Sequence, residues 1–310
     1  MQRLILHIGT HKTGTTFIQR FLASVQEQLL SEGILYPTAG RPKATGTHQY
    51  GHHLLGWSAT KMKSFGFVKR KQDWLDVLEE IHTVKAKTTV ISSEAFGSCS
   101  QEQIIQLREY FADFDVKVII YLRNQFDFMI SWYKECVKST MYKGSFQQFI
   151  TENIYFCDYD SLLTKWIDVF GRDRVEIKLY DKLKRNPGLE IDLLNTLKLD
   201  PEKFKQYLFD SQRENVSPSD TKIALIKLLN LLEDKLGSRG SLRKTLRGII
   251  PDIIKQNPVV NKFTVIEKKF FSKAIYTEDE LVLIRNLTKE WKTNFLEKYV
   301  SSEDRIYFNF

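Results

Sequence analysis

Arg3-Leu-Ile-Leu-His-Ile-Gly9, followed by Thr10-His11-Lys12-Thr13-Gly14-Thr15-Thr16, decides the fold of this chain. The first part is an apolar run around one histidine, the pattern of a strand buried on both faces. The second part spaces Gly9 and Gly14 as the glycines of a phosphate-binding loop are spaced. Such glycines let the backbone curl so that successive N–H groups face inward. A helix starting near Gly14 adds the positive end of its dipole. Phe17, Phe21, Leu22, Val25 and Leu29 recur at the helical period, which predicts one helix to about Leu30. Strand, glycine loop and helix in this order form the first unit of an α/β fold.

The same alternation continues outward. Thr88–Ser92 reads as a strand before a helix over Gln101–Phe111. Val116–Leu122 precedes a helix from about Phe126 to Ser139. A helical stretch with Leu162, Leu163, Trp166 and Phe170 leads into a strand at Arg174–Leu179. The expected fold is therefore α/β, a P-loop-like parallel β-sheet flanked by helices. Between Gly33 and Asp73 the pattern breaks into glycines, prolines and the histidines His48, His52 and His53. A long loop of this kind inside a domain is usually functional. From Ser219 onward the apolar spacing is helical, through Ile223, Leu225, Ile226, Leu228 and Leu229, and again from Leu281 to Tyr299. Arg239, Arg243 and Arg247 with Lys244 line one face of that region, a solvated face or a grip for an acidic acceptor. The expected organisation is one domain over residues 1–310. It has a core at 1–180 that includes an acceptor loop at 33–73, and a mainly helical C-terminal cap at 181–310.

Composition narrows the class. With 310 residues, 42% of them hydrophobic and 13% aromatic, the chain is neither disordered nor fibrous. A net charge of +8 favours an anionic partner: a nucleotide, a nucleic acid or an acidic polysaccharide. The basic residues are scattered rather than striped, and no nucleic-acid-binding motif is present, so nucleic acid is not the expected partner. Cys99, Cys136 and Cys157 form neither a disulfide framework nor a thiolate zinc site. His48 and His52 have metal-ligand spacing only on a helix, which the neighbouring Gly46 and Gly51 disfavour, so no metal is expected. The apolar run at the N-terminus is too short for a leader, and no segment is long enough to span a bilayer. A cytoplasmic protein is expected.

The loop departs from the NTP-binding pattern. Where that pattern has its lysine, this chain has Thr15, and the lysine stands earlier, at Lys12. The strand Val116–Leu122 runs into Arg123, not into the metal-holding aspartate of an NTPase. An arginine at the C-terminal end of a strand is a second anion grip, and Ser131 lies two turns into the next helix. The pattern predicts a nucleotide with two separated anionic groups and no metal. A P-loop kinase is the alternative that these departures disfavour.

His11-Lys12-Thr13-Gly14-Thr15-Thr16 resembles the 5′-phosphosulfate loop of sulfotransferases that use 3′-phosphoadenosine 5′-phosphosulfate (PAPS). Tyr121 to Ser131 resembles the 3′-phosphate motif of that family, with its Arg-to-Ser spacing. Gly33-Ile-Leu-Tyr-Pro37, the histidine-rich segment and Ser92-Ser93-Glu94 follow in the order seen in bacterial soluble members. The resemblance covers about the first 180 residues, and the RKGxxGxWK-like loop of the cytosolic small-molecule enzymes is absent. It implies that His11, Lys12, Thr13, Gly14, Thr15, Thr16, Arg123 and Ser131 bind PAPS, with Lys12 neutralising charge on the leaving group. A general base is also implied, either Glu94 or one of the histidines His52 and His53. The implied acceptor is a hydroxyl, on a carbohydrate or glycolipid in the branch it most resembles; a tyrosine peptide or a small molecule remains open.

Overall fold

The computed structural model describes residues 1–43, 47–60, 71–208, 220, 223–224, 226–227, 230–231 and 276–309. The chain divides elsewhere than at residue 180. One compact unit is Met1–Asn124 with Asp158–Asn215 and Glu290–Asn309, and the other is Gln125–Cys157 with Val216–Lys289 and Phe310.

The first unit is built on a five-stranded, all-parallel sheet in the order β2-β3-β1-β4-β5. β1 (Gln2–His7) is central, with His7 opposite Ser92 of β3 (Thr88–Ser92) and Ile119 of β4 (Phe114–Leu122). Its alternate side chains enter opposite cores. Leu4, Leu6 and Ile8 pack with Ile91, Val118 and Trp166, and Ile5 packs with Ile18, Leu22, Val90 and Tyr121. Such two-sided burial is why the strand reads as a continuous apolar run. The outer strands are β2 (Ile34–Leu35) and β5 (Val175–Leu179).

Two expectations need correction. The single first helix is two, α1 (Thr15–Ser24) and α2 (Gln26–Ser31), separated at Val25 with φ −110°. Val25 and Leu29 are both buried, so the apolar period runs straight through the break and hides it. The long loop over residues 33–73 is not one loop. It holds β2, a 3₁₀ turn at Thr47–Tyr50, the helix α3 (His53–Thr60) and the start of α4 (Lys71–Val84). β2 is too short to show alternation. α3 carries an interior glycine because a β-carbon at Gly56 would lie 2.4 Å from Ser93 Oγ, so the residue that reads as a loop signal is a packing requirement.

The helix α5 (Gln101–Tyr110) belongs to the first unit. In the second unit, α6 (Gln125–Ser139) and α7 (Phe146–Asn153) bury Phe128, Met129, Tyr133, Phe149 and Ile150 around Ile223 and Ile284. Ser145 Oγ caps α7 by accepting from the Gln148 N–H. Near the C-terminus the expected helix is found at Glu278–Tyr299. Leu225, Leu228, Leu229 and the face Arg239, Arg243, Lys244 and Arg247 lie outside the described residues. Among the described residues, no helix is long and apolar enough to cross a membrane.

Candidate active site

The loop between β1 and α1 turns through the left-handed region three times, at Gly9 (φ 43°), Lys12 (φ 63°) and Gly14 (φ 79°). Lys12 is the telling one, because a lysine bears conformational strain there that a glycine would not. Gly14 caps α1 with backbone alone: no side chain caps the helix, and its first turn holds no acidic residue. The N–H groups of that turn therefore form a cradle for an anion. Gly14 has no space for a side chain either, since a β-carbon would stand 2.4 Å from Leu189 Cδ1 and 3.2 Å from Tyr180 Cε2.

Two threonines have roles the sequence does not show. Thr13 Oγ1 donates to the Thr10 carbonyl at 2.7 Å and Thr15 Oγ1 to the same oxygen at 3.3 Å. Both side chains are buried. Their hydroxyls brace the loop from within. Thr16, Lys12 and His11 are the half-buried side chains of the loop.

The segment after β3 packs closely against the start of the loop. A β-carbon at Gly97 would lie 2.6 Å from the Gly9 carbonyl oxygen, and one at Gly9 would lie 3.6 Å from the Glu94 Cα. Glu94 thus stands beside the start of the phosphate loop. Its Oε2 accepts from Gln19 Nε2 at 3.1 Å and faces His53 Nδ1 at 3.8 Å. Burial works to raise its pKa, but His53, His11, its own backbone N–H and Gln19 together hold it below the ordinary carboxylate value. Glu94 is accordingly ionised at neutral pH.

The three histidines of the segment separate into different environments. His53 opens α3, is 2% exposed, and sets Nδ1 at 3.2 Å from Ser93 Oγ. Its ring stacks on Trp57 and meets His48 edge-on. Burial lowers its pKa against the pull of Glu94, so its neutral form prevails. His52 is fully buried with both nitrogens engaged. Nδ1 accepts the Ser92 N–H at 3.1 Å, which leaves Nε2 to donate to the Pro37 carbonyl at 3.0 Å. No lone pair remains for a substrate proton, so His52 is a structural residue and not a base. His48 lies in the 3₁₀ turn, not on a helix with His52.

At the end of β4, Arg123 Nη1 donates to the Lys12 carbonyl at 3.2 Å, tying the strand end to the loop. Its guanidinium lies over the Tyr180 ring at 5.2 Å, and Nε faces Asp181 Oδ1 at 3.8 Å. Arg123 Nε is buried with no hydrogen-bond partner among the described residues, a donor without an acceptor. Asp181 Oδ2 is held by the Asn124 N–H at 2.7 Å. Ser131 stands buried on α6, in the second unit.

Sequence reasoning overlooked Gln19, Tyr180, Asp181 and Leu189. Gln19 had a readable signal, a polar residue among Thr15, Ile18 and Leu22 on the buried side of α1. The others come from chain segments remote from the loop and leave no local signature.

Loop, uncapped helix end, arginine and carboxylate all lie at the C-terminal edge of a parallel sheet, where open α/β folds bind ligands. They define a protein of the phosphate-loop α/β class. Within that class the sulfotransferase-domain family matches residues 2–222, and the chain belongs to this family. An uncharacterized protein of Archaeoglobus fulgidus is 26% identical over 211 residues, which is 63% of this chain and 55% of that protein. The chain thus spans little more than half the length of that relative. Among solved structures, a sulfotransferase from Alicyclobacillus acidocaldarius aligns with TM-score 0.45 and 16% identity, over 77% of this chain and 97% of its own. Mouse sulfotransferase SULT7A1 complexed with PAP aligns with TM-score 0.41 and 12% identity, over 99% and 88% respectively.

Proposed function

We propose that the protein transfers the sulfuryl group of PAPS to a hydroxyl of a carbohydrate or glycolipid acceptor. The observation that carries the reading is the placement of Glu94 beside the start of the phosphate loop. One carboxylate, ionised at neutral pH, stands beside a backbone cradle shaped for an anion.

PAPS supplies an activated sulfuryl group whose transfer leaves adenosine 3′,5′-bisphosphate (PAP). The α1 N-terminus and the Gly9–Gly14 backbone would hold the 5′-phosphosulfate, and the Arg123 guanidinium would hold the 3′-phosphate. His11 and Thr16 are half-buried side chains of the same loop, and Ser131 keeps the spacing from Arg123 of the family's 3′-phosphate motif. Lys12 neutralises charge on the departing bisphosphate, which appears only as transfer proceeds. Glu94 takes the acceptor proton, its Oε2 held by Gln19. His53, neutral at neutral pH, stands beside it with Nδ1 at 3.8 Å from Oε2. Cys99, Cys136 and Cys157 stand as thiols, in keeping with a reducing, cytoplasmic compartment.

The test is a thermal-shift series with PAP, PAPS, AMP and ATP, each with and without Mg²⁺, followed by ³⁵S transfer from PAPS to a panel of sugars, glycolipids, tyrosine peptides and phenols. PAP at 100 times its dissociation constant should stabilise the protein by about 2.7 kcal/mol without Mg²⁺. Stabilisation by ATP–Mg²⁺ alone would replace this reading with a kinase. Transfer to peptides or phenols but not to sugars would replace the acceptor.

A further inference from the structure

We propose that Gln19 is the positioning residue of the Glu94 carboxylate, fixing it relative to the phosphate cradle. The inference rests on the reading of Glu94 as the base. Gln19 is 0% exposed and gives its Nε2 hydrogens to Glu94 Oε2 at 3.1 Å and Ser92 Oγ at 3.2 Å. The orientation of the amide is dictated by charge. Turning it over would set a carbonyl oxygen against a carboxylate, with no hydrogen between them. Ser92 Oγ is in turn 2.9 Å from His7 Nδ1, so the amide is gripped from the sheet side as well.

Two features show that this site is built for an amide rather than for filling. Gln19 Oε1 is buried and has no partner among the described residues, a cost that Leu or Met in the same place would not carry. Gly51 also leaves room for it: a β-carbon there would lie 2.6 Å from Gln19 Cδ and Nε2. The local rule of an apolar helix face is broken where the site needs it broken. Because Gln19 and the cradle N–H groups belong to the same helix, α1, one rigid element sets both ends of the transfer path. The hydrogen bond to Oε2 restrains rotation of the carboxylate about its last bond.

The groups facing Glu94 are Gln19 from α1, His53 from α3, His11 from the loop and, farther off, His7 and Tyr36. Removing the Gln19 donor withdraws a hydrogen bond from the charged form, so the Glu94 titration must move up. The experiment compares Gln19→Met, Gln19→Glu and Glu94→Gln with the natural protein. Three quantities are read: the Glu94 carboxyl titration by ¹³C NMR, PAP affinity by calorimetry, and sulfate release from PAPS with water as acceptor. For Gln19→Met the expected result is an upward Glu94 shift, turnover lowered roughly 10–100-fold with its acid limb shifted upward, and unchanged PAP affinity. Gln19→Glu, which sets two carboxylates together, should shift the pair further and is informative if the Met variant does not fold. An unmoved Glu94 titration, or full turnover in Gln19→Met while Glu94→Gln is impaired, overturns the role of Gln19. Full turnover in Glu94→Gln overturns the base itself, and the NMR shift then still reports on the Gln19 coupling alone.

Discussion

Acidification should unfold this protein in a pH window that its histidines set. His7 sits in the central strand, 1% exposed, and burial lowers its pKa from 6.5 to about 4 against a weaker pull from Glu94. In the unfolded chain His7 takes a proton near its ordinary value, whereas the folded chain refuses it. Between those two pH values the unfolded state binds more protons, so stability falls as pH falls. A tenfold difference in proton affinity between the two states is worth about 1.36 kcal/mol. At pH 5 the loss from His7 alone is therefore about 2 kcal/mol relative to pH 7.5. His52 and His53 add to it in the same direction, since burial depresses both. Between pH 7.5 and 5.0 the carboxylates change little, because their titration lies mainly below about pH 5. The perturbation is His7→Asn, whose amide reaches Ser92 Oγ from the same place as the imidazole Nδ1 but does not titrate. The assay is urea unfolding at pH 7.5 and pH 5.0 at matched ionic strength. Loss of packing lowers the variant at both pH values alike, so the difference between them isolates the proton. The variant should lose about 2 kcal/mol less than the natural protein on acidification. Parallel losses would refute the assignment of His7 as a buried neutral group.

Three further outcomes follow from the site. Glu94→Gln keeps the shape and the Gln19 contact and should lower turnover by roughly 10²–10⁴-fold while PAP affinity holds, whereas His53→Ala should cost far less; the reverse order in steady-state kinetics makes His53 the base. Lys12→Ala should lower kcat with little effect on PAP binding, while Arg123→Ala should weaken PAP by about 1.5–3 kcal/mol in calorimetry. Gly14→Ala places a β-carbon at φ 79° and 2.4 Å from the buried Leu189 side chain. A stability loss of about 2–4 kcal/mol with loss of PAP binding is expected in thermal and urea melts.

Elements whose signal is local could be read from the chain. β1 announces itself because both its faces are buried, and the loop because Gly9 and Gly14 meet steric demands that only glycine satisfies. β3, β4 and β5 lie where their apolar runs place them, to within two residues. The segment over residues 33–73 misled for a physical reason. Its glycines at 51 and 56 are required by contacts with Gln19 and Ser93, remote in sequence, yet they read locally as breakers. The histidines misled similarly, because neighbours in sequence enter different environments: His52 is locked between two backbone groups and His53 faces a carboxylate.

By itself the sequence determined the class of fold, the loop and its displaced lysine, and the arginine and glutamate that end the strands. Each of these is encoded within a few neighbouring residues, where backbone sterics and side-chain period act. Only the tertiary structure decided which groups stand together. It turned the Thr13 and Thr15 hydroxyls inward, removed His52 from the chemistry, brought Asp181 and Tyr180 to Arg123, and set Gln19 against Glu94. The Gln19–Glu94 contact alone joins residues 75 positions apart. Such pairings depend on distances of a few ångströms and on burial, which raises the cost of an unmet hydrogen bond, and neither is written in local sequence.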